Sequence, residues 1–584
     1  MTDDTRAWRS APVVAWVAVL CAVVLAPLWR PGYVLRGDMV GTPRQYLLPD
    51  ALGVGAGVPR AVPMDAVLAV ATALVDGAVV QRAVLATSLV LAGLGAARLV
   101  PGGRWTSAGA ATLAVWNPYV AERLLMGHWG ILLAYAAVPW GIAAALDLRR
   151  ARPAAGWRLL VWLAVAGVTA PGAVVAASAV LPTVLWPGGS RWARRSLVAL
   201  LSALAANLPW LLPATLHPAA GRSDAAAVDV FAVRADVAIG RVASLMSGGG
   251  IWNADAVPAS RGAVSAAVFA VLLVVAAVAG YAELRRTWGR GADGLLAGAV
   301  LGLLLALWGA WSPNTLGWAV ENVPGAGLLR DGHRLAAPWV VLTACAAPLG
   351  VSRVVRRLRA VQAQRLVAAG LVLLPVVVLP DLSWGLLGRL APVPYPAGWH
   401  AVHDALASRD DTADVVSLPW QAFRRYPWND GRAVLDPLPR FVDRTVVTSA
   451  DLPVARPGGV ATIAGEDVRA RRVGRLVGSG RPLVATMPTE GIGWAVVQYD
   501  TPGAVDPALL EGATVVVGTP SIALLRLTDP ATLPSGSAAA AYRGLVLAVD
   551  VAVLVLLLVA LVEIVRCRSR AATVPTPETR GGAR

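Results

Sequence analysis

The sequence predicts an α-helical polytopic membrane protein of about twelve spans, with a small extracytoplasmic α/β domain placed before the last span. Three observations predict it. Apolar stretches of about 15–25 residues, the length that crosses a bilayer, alternate with short loops. Arginines cluster in every second loop: Arg6/Arg9, Arg98/Arg104, Arg149–Arg158, Arg191–Arg195, Arg285–Arg290, Arg353–Arg365 and Arg566–Arg570. That is the positive-inside pattern. Finally, charge and proline rise and the long apolar stretches stop between 385 and 542.

Composition agrees. Hydrophobic residues make up 57% of the 584 residues and charged residues 15%, where soluble domains carry about 25%. The net charge of +16 comes from arginine without any lysine. These arginines sit at span ends rather than among aromatics on one face, so nucleic acid is excluded as a partner. Their expected partners are anionic membrane lipids on the cytoplasmic leaflet. Cys21, Cys345 and Cys567 have neither metal spacing nor a disulfide frame.

Spans are expected near 11–29, 79–99, 106–120, 129–147, 157–170, 172–187, 196–214, 262–282, 293–311, 335–352, 366–384 and 543–565. The first, Ala11–Trp29, lacks a small-residue cleavage site and reads as a retained helix rather than a signal peptide. The stretch 157–187 is read as a tight hairpin divided at Pro171-Gly172. Its two flanks are both basic and need an even number of crossings between them. Both termini are then cytoplasmic, in a plasma-membrane protein. The membrane core is residues 1–384, with outer loops at 30–78, 117–128, 215–261 and 312–334. Within the first loop, Ala66–Val75 is too short to span and reads as an interfacial helix. Residues 385–542 alternate β-rich runs (Asp414–Leu418, Thr445–Thr448, Gly493–Tyr499, Thr514–Val517, Ile522–Leu527) with helical ones near Trp399–Ser408 and Glu466–Val477. Residues 566–584 read as a disordered basic cytoplasmic tail.

The chemistry is expected in the outer loops. Asp38, beside Gly37 and Arg36, could act as a general base on an acceptor hydroxyl, and an apolar setting would raise its pKa. The competing reading is a solvated aspartate or a partner of Arg36. If Pro118–Gly127 is helical, Glu122 and Arg123 are adjacent and point to different sides. Arg123 could then hold a phosphate while Glu122 positions it or a hydroxyl; an amphipathic connector is the alternative. His128 could carry a proton, ligate a metal or sit at the interface. Arg330, His333 and Arg334, with Asp331, run against the charge bias of their side. They are candidates to grip a lipid phosphate, or to form a salt bridge at a helix start. Asp550 lies inside the last span, where an acid is costly and functional by default; it could instead pair with Arg543. There is no Walker A loop, no zinc spacing and no in-membrane chain of acids. No cofactor is expected, and a divalent metal is left open.

The stretch Trp116-Asn117-Pro118-Tyr119-Val120-Ala121-Glu122-Arg123-Leu124-Leu125-Met126-Gly127-His128-Trp129-Gly130, running on to Tyr135 and Pro139-Trp140, resembles the corresponding loop of the large actinobacterial arabinofuranosyltransferases of the GT-C superfamily. Gly250-Ile251-Trp252-Asn253 and Leu329–Arg334 are similar to that group too. The resemblance covers roughly residues 10–385. It implies a GT-C-like fold and inverting transfer of a sugar, of arabinofuranose or mannose class, on the outer face of the plasma membrane. The donor would be a polyprenyl-phosphate sugar and the acceptor a cell-envelope glycan or glycolipid. It also implies an acid in the first external loop as base, and Asp38 is the match. Arg123 and Arg334 would contact phosphate, with Glu122 and His128 accessory. Two departures stand out. Gly37-Asp38-Met39-Val40 holds one acid where many relatives carry adjacent acids, and one small domain stands where the large enzymes continue into carbohydrate-binding modules. Two rival classes are a lipid or polysaccharide flippase or transporter, which needs polar residues along a membrane path, and a non-catalytic envelope-assembly protein.

Overall fold

The computed structural model describes residues 8–59, 61–189, 191–217, 224–456, 459–528 and 540–572. Arg6 and residues 573–584 of the expected tail lie outside them.

Among the described residues, nine helices are long and apolar enough to cross a membrane: Ala11–Trp29, Gly77–Leu99, Trp129–Arg149, Trp192–Leu216, Val264–Trp288, Arg290–Trp311, Gly332–Val355, Val361–Val378 and Ala540–Arg570. Each coincides with an expected span. The other three expected spans are shorter helices. Residues 106–120 form a helix over Arg104–Val115 and a second over Pro118–Leu125. The break follows from Pro118, which has no N–H and disfavours helix at the residue before it. Asn117 is accordingly extended (φ −151°, ψ 161°), and its side chain caps the Val120 N–H at 2.9 Å. The hairpin of 157–187 is present as Ala155–Ala166 and Ala170–Leu185. It divides at 167–169 rather than at Pro171-Gly172, because Pro171 opens the second helix and Thr169 caps Gly172 N–H at 3.1 Å. At 1.5 Å per residue, helices of 12, 12 and 16 residues fall short of a hydrocarbon core of about 30 Å. The stretch too short to span is a helix over Met64–Leu74.

The helices Trp129–Arg149 and Gly332–Val355 are largely enclosed and form the centre of the bundle, whereas Trp192–Leu216, Val361–Val378 and Ala540–Arg570 are mostly uncovered. Small residues let Gly332–Val355 pack closely against Val264–Trp288: Gly280 lies against the Ala346 backbone and Gly350 against that of Ala276.

The α/β domain holds a five-stranded sheet in the order Thr514–Gly518, Ile522–Arg526, Ile492–Gln498, Asp414–Leu418, Val446–Val447. The strand Asp414–Leu418 is parallel to both its neighbours and the remaining pairs are antiparallel. Alternation along Ile492–Gln498 builds two cores. Trp494 and Val496 pack with Trp399, Val402 and Leu406 of the helix Ala397–Ala407, and Ala495 and Val497 pack with Val473 of the helix Val468–Gly478. Two hairpins were not foreseen, Phe423–Arg425 with Ala433–Leu435 and Leu452–Arg456 with Gly459–Ile463.

The first of these hairpins joins the domain to the membrane core. Leu35–Arg36 and Met39–Val40 form a small antiparallel pair in the first loop. Gly37 N–H donates to Ala433 O at 2.8 Å, and Leu435 N–H donates to Gly37 O at 2.8 Å. Leu35 and Val40 are part of the domain's own core. The first loop and the α/β domain therefore share one end of the bundle. On its other side the loop lies on the turn after Leu125: Asp38 N–H donates to Met126 O at 3.0 Å. The seam admits no side chain. Gly37 (φ +54°) and Gly127 (φ +74°) are both left-handed, and a Cβ would lie 2.1 Å from Met126 O and 2.2 Å from Arg36 O respectively.

Gly127→Ala should therefore destabilise the protein by more than about 1 kcal/mol and part the first loop from the turn. A lowered unfolding midpoint, with faster amide exchange at 35–40 than elsewhere in the domain, is the measurement.

Candidate active site

The turn at 126–128 and the Gly37 seam place Asp38 over His128. Asp38 Oδ2 lies 3.3 Å from His128 Nε2, and the carboxylate side chain is 52% exposed, whereas His128 is nearly enclosed. Beneath them is Arg123, on the short helix Pro118–Leu125, with no solvent exposure. Its Nη1 donates to His128 Nδ1 at 2.8 Å and to Asp331 Oδ2 at 3.0 Å, and its Nη2 donates to His333 Nδ1 at 2.6 Å. A guanidinium only donates, so Nδ1 of both histidines must be the acceptor. Each ring then carries its proton on Nε2. His128 donates from that nitrogen to Asp38 at 3.3 Å, and His333 donates from its own to Gly248 O at 3.4 Å, with Glu122 Oε2 3.3 Å away.

Asp331 also accepts from Arg334 Nε at 2.7 Å. Arg334 is 19% exposed, and its two terminal nitrogens make no hydrogen bond among the described residues. Glu122 continues the network inward. It accepts from Ile251 N–H at 3.2 Å and faces Asp236, which is gripped through two hydrogen bonds of 3.0 Å by Arg261. Gly250 N–H donates to the same Asp236 carboxylate at 3.1 Å, which gives the glycine run of the third loop its place.

The electrostatics follow from burial and partners. Desolvation, then the neighbouring Asp236 carboxylate, push Glu122 well above the ordinary carboxylate range, so it is neutral. Desolvation also pushes Asp331 up, but Arg123 and Arg334 outweigh it and hold it far below. Asp38 goes the same way. Desolvation would raise it, yet the His128 hydrogen bond and charge, with Arg334 and Arg440 nearby, hold it below its usual value. This corrects the expectation of a raised Asp38 pKa. Desolvation, the first cause, lowers His128 against the pull of Asp38, so it is neutral at pH 7.

The expected site residues are thus largely brought together. Asp38, His128, Arg123, Glu122, His333 and Arg334 form one connected cluster although they come from three loops. Two placements differ from expectation. Glu122 and Arg123 do not point to separate sides: both are enclosed, and His333 bridges them. Arg123 does not reach the open face, so direct phosphate contact through it is not available. Arg330 lies apart, pairing with Glu466 of the α/β domain at 2.6 Å and covering the Phe231 ring. Sequence reasoning missed Arg440, which approaches Asp38 from the α/β domain and is held by Asp65 at 3.2 Å. Nothing in its local sequence sets it apart from the domain's other arginines. Asp550 has an unpartnered Oδ1 within the last helix and is not part of the cluster. Among the described residues no group of three His, Cys, Asp or Glu side chains is placed to hold a metal ion.

This polytopic helical architecture is shared with solved structures. The chain is similar to the solved structure of arabinofuranosyltransferase AftD from Mycobacteria, with a TM-score of 0.56 at 18% identity, over 88% of this chain and 40% of that one. A structure of a mutant of the same protein gives 0.54 at 19% identity, over 88% and 42%. The chain spans about two-fifths of the length of those structures. No family model and no curated protein matches it.

Two outcomes follow from the geometry. Arg123→Leu leaves Asp331 buried with one cation instead of two and both histidine Nδ1 atoms without a donor. It should cost about 3–5 kcal/mol, read as a lowered unfolding midpoint. His128→Ala removes a group that lowers the Asp38 pKa. Any activity that needs ionised Asp38 should then fail at a higher pH on the acid side, read as an upward shift of the acid limb of kcat/KM.

Proposed function

We propose that the protein is a membrane glycosyltransferase that takes a sugar from a polyprenyl-phosphate donor, on the outer face of the plasma membrane, and transfers it with inversion to a cell-envelope glycan or glycolipid. The observation that carries the reading is the exposed Asp38 carboxylate standing over a buried, charge-compensated node, with the guanidiniums of Arg334 and Arg440 close by. The GT-C-type fold supports it.

The chemistry is a single displacement. An acceptor hydroxyl attacks the anomeric carbon, its proton passes to Asp38, and the bond from that carbon to the phosphate oxygen breaks with the electron pair leaving on phosphate. Arg334 is the cation for the departing phosphate, since its terminal nitrogens are uncommitted, and Arg440 adds positive charge from the domain side. His128 is a positioning residue: it donates to Asp38 and is oriented by Arg123. Glu122 and His333 fix the node from below. A carboxylate held below its usual pKa is ionised across the working range but is a modest base. Proton transfer is then late, and the same charge also stabilises an oxocarbenium-like transition state. The sugar is of arabinofuranose or mannose class by resemblance. A flippase reading gains nothing from the geometry, because the polar network gathers at one end of the bundle rather than along a path through it.

Asp38→Asn should lower transfer from a synthetic polyprenyl-phosphate sugar by about 10²–10⁴-fold with the unfolding midpoint kept. Full transfer by that variant in a reconstituted assay would overturn the assignment of the base.

A further inference from the structure

A second group of arginines gathers around Arg36, two residues before Asp38. Arg36, Arg389, Arg425 and Arg432 come from the first loop, the segment entering the α/β domain, and one arm and the connecting turn of the hairpin that clamps Gly37. Their contacts interlock mostly through backbone carbonyls. Arg36 Nε donates to Leu125 O at 3.0 Å, Arg389 donates to Asp255 O, Arg425 donates to Gly431 O at 3.0 Å, and Arg432 Nη1 donates to Ala391 O at 2.7 Å and to Arg389 O at 3.4 Å. Carbonyls satisfy hydrogen bonds but do not neutralise charge. Among the described residues, none of Arg36, Arg389 and Arg425 forms an ion pair. Arg432 has a loose one with Asp430 at 3.4 Å, and Asp430 is itself largely exposed. The other acids nearby are Asp255, which is exposed, and Asp381, whose two oxygens accept from Ala259 and Ser260 N–H at 3.1 Å. Desolvation, then the Arg389 and Arg432 charges, push Arg36 down to about 10, against the opposing pull of Asp255. Like charges held together without counter-ions are a destabilising arrangement that an added anion would relieve.

An independent feature adjoins this group. Residues 384–387 turn through left-handed backbone (Trp384 φ 53°, Gly385 φ 60°, Leu386 φ 54°, Leu387 φ 57°). Each non-glycine residue there costs roughly 1–2 kcal/mol, so packing must hold the turn. Leu386 is buried in the membrane core, and Gly385 lies against Pro27 at the end of the first span. The turn leaves Trp384 and Leu387 facing out, 59% and 65% exposed, next to the end of the first span, where Trp29 is 84% exposed. Exposed tryptophans at the ends of two membrane-crossing helices mark the headgroup level of a bilayer. Arg389 follows two residues later.

We infer that Arg36, Arg389, Arg425 and Arg432 bind the phosphate of a membrane lipid at the outer interface, with its tail along Trp384, Leu387 and Trp29. This lipid sits apart from the Asp38 cluster. It ties together the first loop, the domain entry and the Gly37 clamp, so its occupancy sets the register of Asp38. The shared chemistry is a lipid phosphate, and it can come from an anionic phospholipid or from a prenyl phosphate.

The test uses the full chain in phosphatidylcholine nanodiscs, with phosphatidylglycerol or farnesyl phosphate added in turn and bound lipid counted by native mass spectrometry. One phosphate lipid should be retained. Arg389→Gln with Arg425→Gln should weaken it about tenfold or more, while Asp38→Asn leaves it unchanged. Retention of phosphatidylglycerol alone identifies a phospholipid, and displacement by farnesyl phosphate identifies a prenyl carrier. Unchanged retention in the double variant, or retention of neither probe, overturns the inference. Should the double variant not fold, Arg425→Gln alone must still weaken binding, since its exposed guanidinium holds only the Gly431 carbonyl.

Discussion

The structure turns on one enclosed guanidinium. Arg123 has no water around it, so every hydrogen bond it makes must come from protein, and an unpaired charge there would be expensive. Asp331 supplies the countercharge. The two histidine rings supply acceptors, and in doing so they lose the choice of tautomer. A single buried cation thus dictates that His128 presents N–H to Asp38 and that His333 presents N–H to the Gly248 carbonyl, beside Glu122. The exposed carboxylate gains a fixed donor from below without any further charge on its own residue.

A second constraint sets where that carboxylate stands. Asp38 is not on a helix or a long strand, and a loop residue alone would wander. It is pinned because Gly37 is sandwiched between the Met126 carbonyl and the hairpin of the α/β domain, at distances that exclude a Cβ. The domain is therefore part of the site. It supplies a strand edge that holds the loop, the Arg440 cation beside Asp38, and a buried brace behind the hairpin in which Arg424 pairs with Asp436 at 3.0 Å.

How much of this was legible in the sequence depends on the range of the signal. Spans are local, repeated and long, so all nine full-length membrane helices coincide with expected ones. The five strands of the main sheet were also legible, because runs such as Ile492–Gln498 are long and apolar enough to stand out from their surroundings. Arginine asymmetry along the sequence already groups the loops that carry Asp38, His128 and Arg334. The three-residue strands of the Phe423–Leu435 hairpin are too short for a period, and the contact of Gly37 with Ala433 joins residues far apart in the chain. No local pattern encodes such a distance. The expectation that Glu122 and Arg123 diverge failed for a related reason. Adjacent helix positions do point about 100° apart, but a helix of 8 residues can be enclosed on every side, and then direction no longer distinguishes buried from open.

The charge balance of the site fits the proposed group transfer better than transport. The node pairs Arg123 and Arg334 with Asp331, Arg261 with Asp236, and leaves Glu122 neutral, so its buried part needs no ion to complete it. A carrier that moves protons or ions through the membrane needs buried groups that change charge during the cycle. Here the buried groups are locked by mutual compensation, and the charges left uncommitted are at the open end: the Asp38 carboxylate and the terminal nitrogens of Arg334. One negative and one positive group near each other are what the proposed displacement at a sugar phosphate requires, a proton acceptor for the incoming oxygen and a cation for the outgoing one. The rigidity beneath them then has a purpose. In the proposed reaction a base held below its ordinary pKa can act only if it is already in line when the bond to phosphate breaks, and the locked histidine, the seam of glycines and the domain edge together remove freedom that would otherwise have to be lost on the way to the transition state.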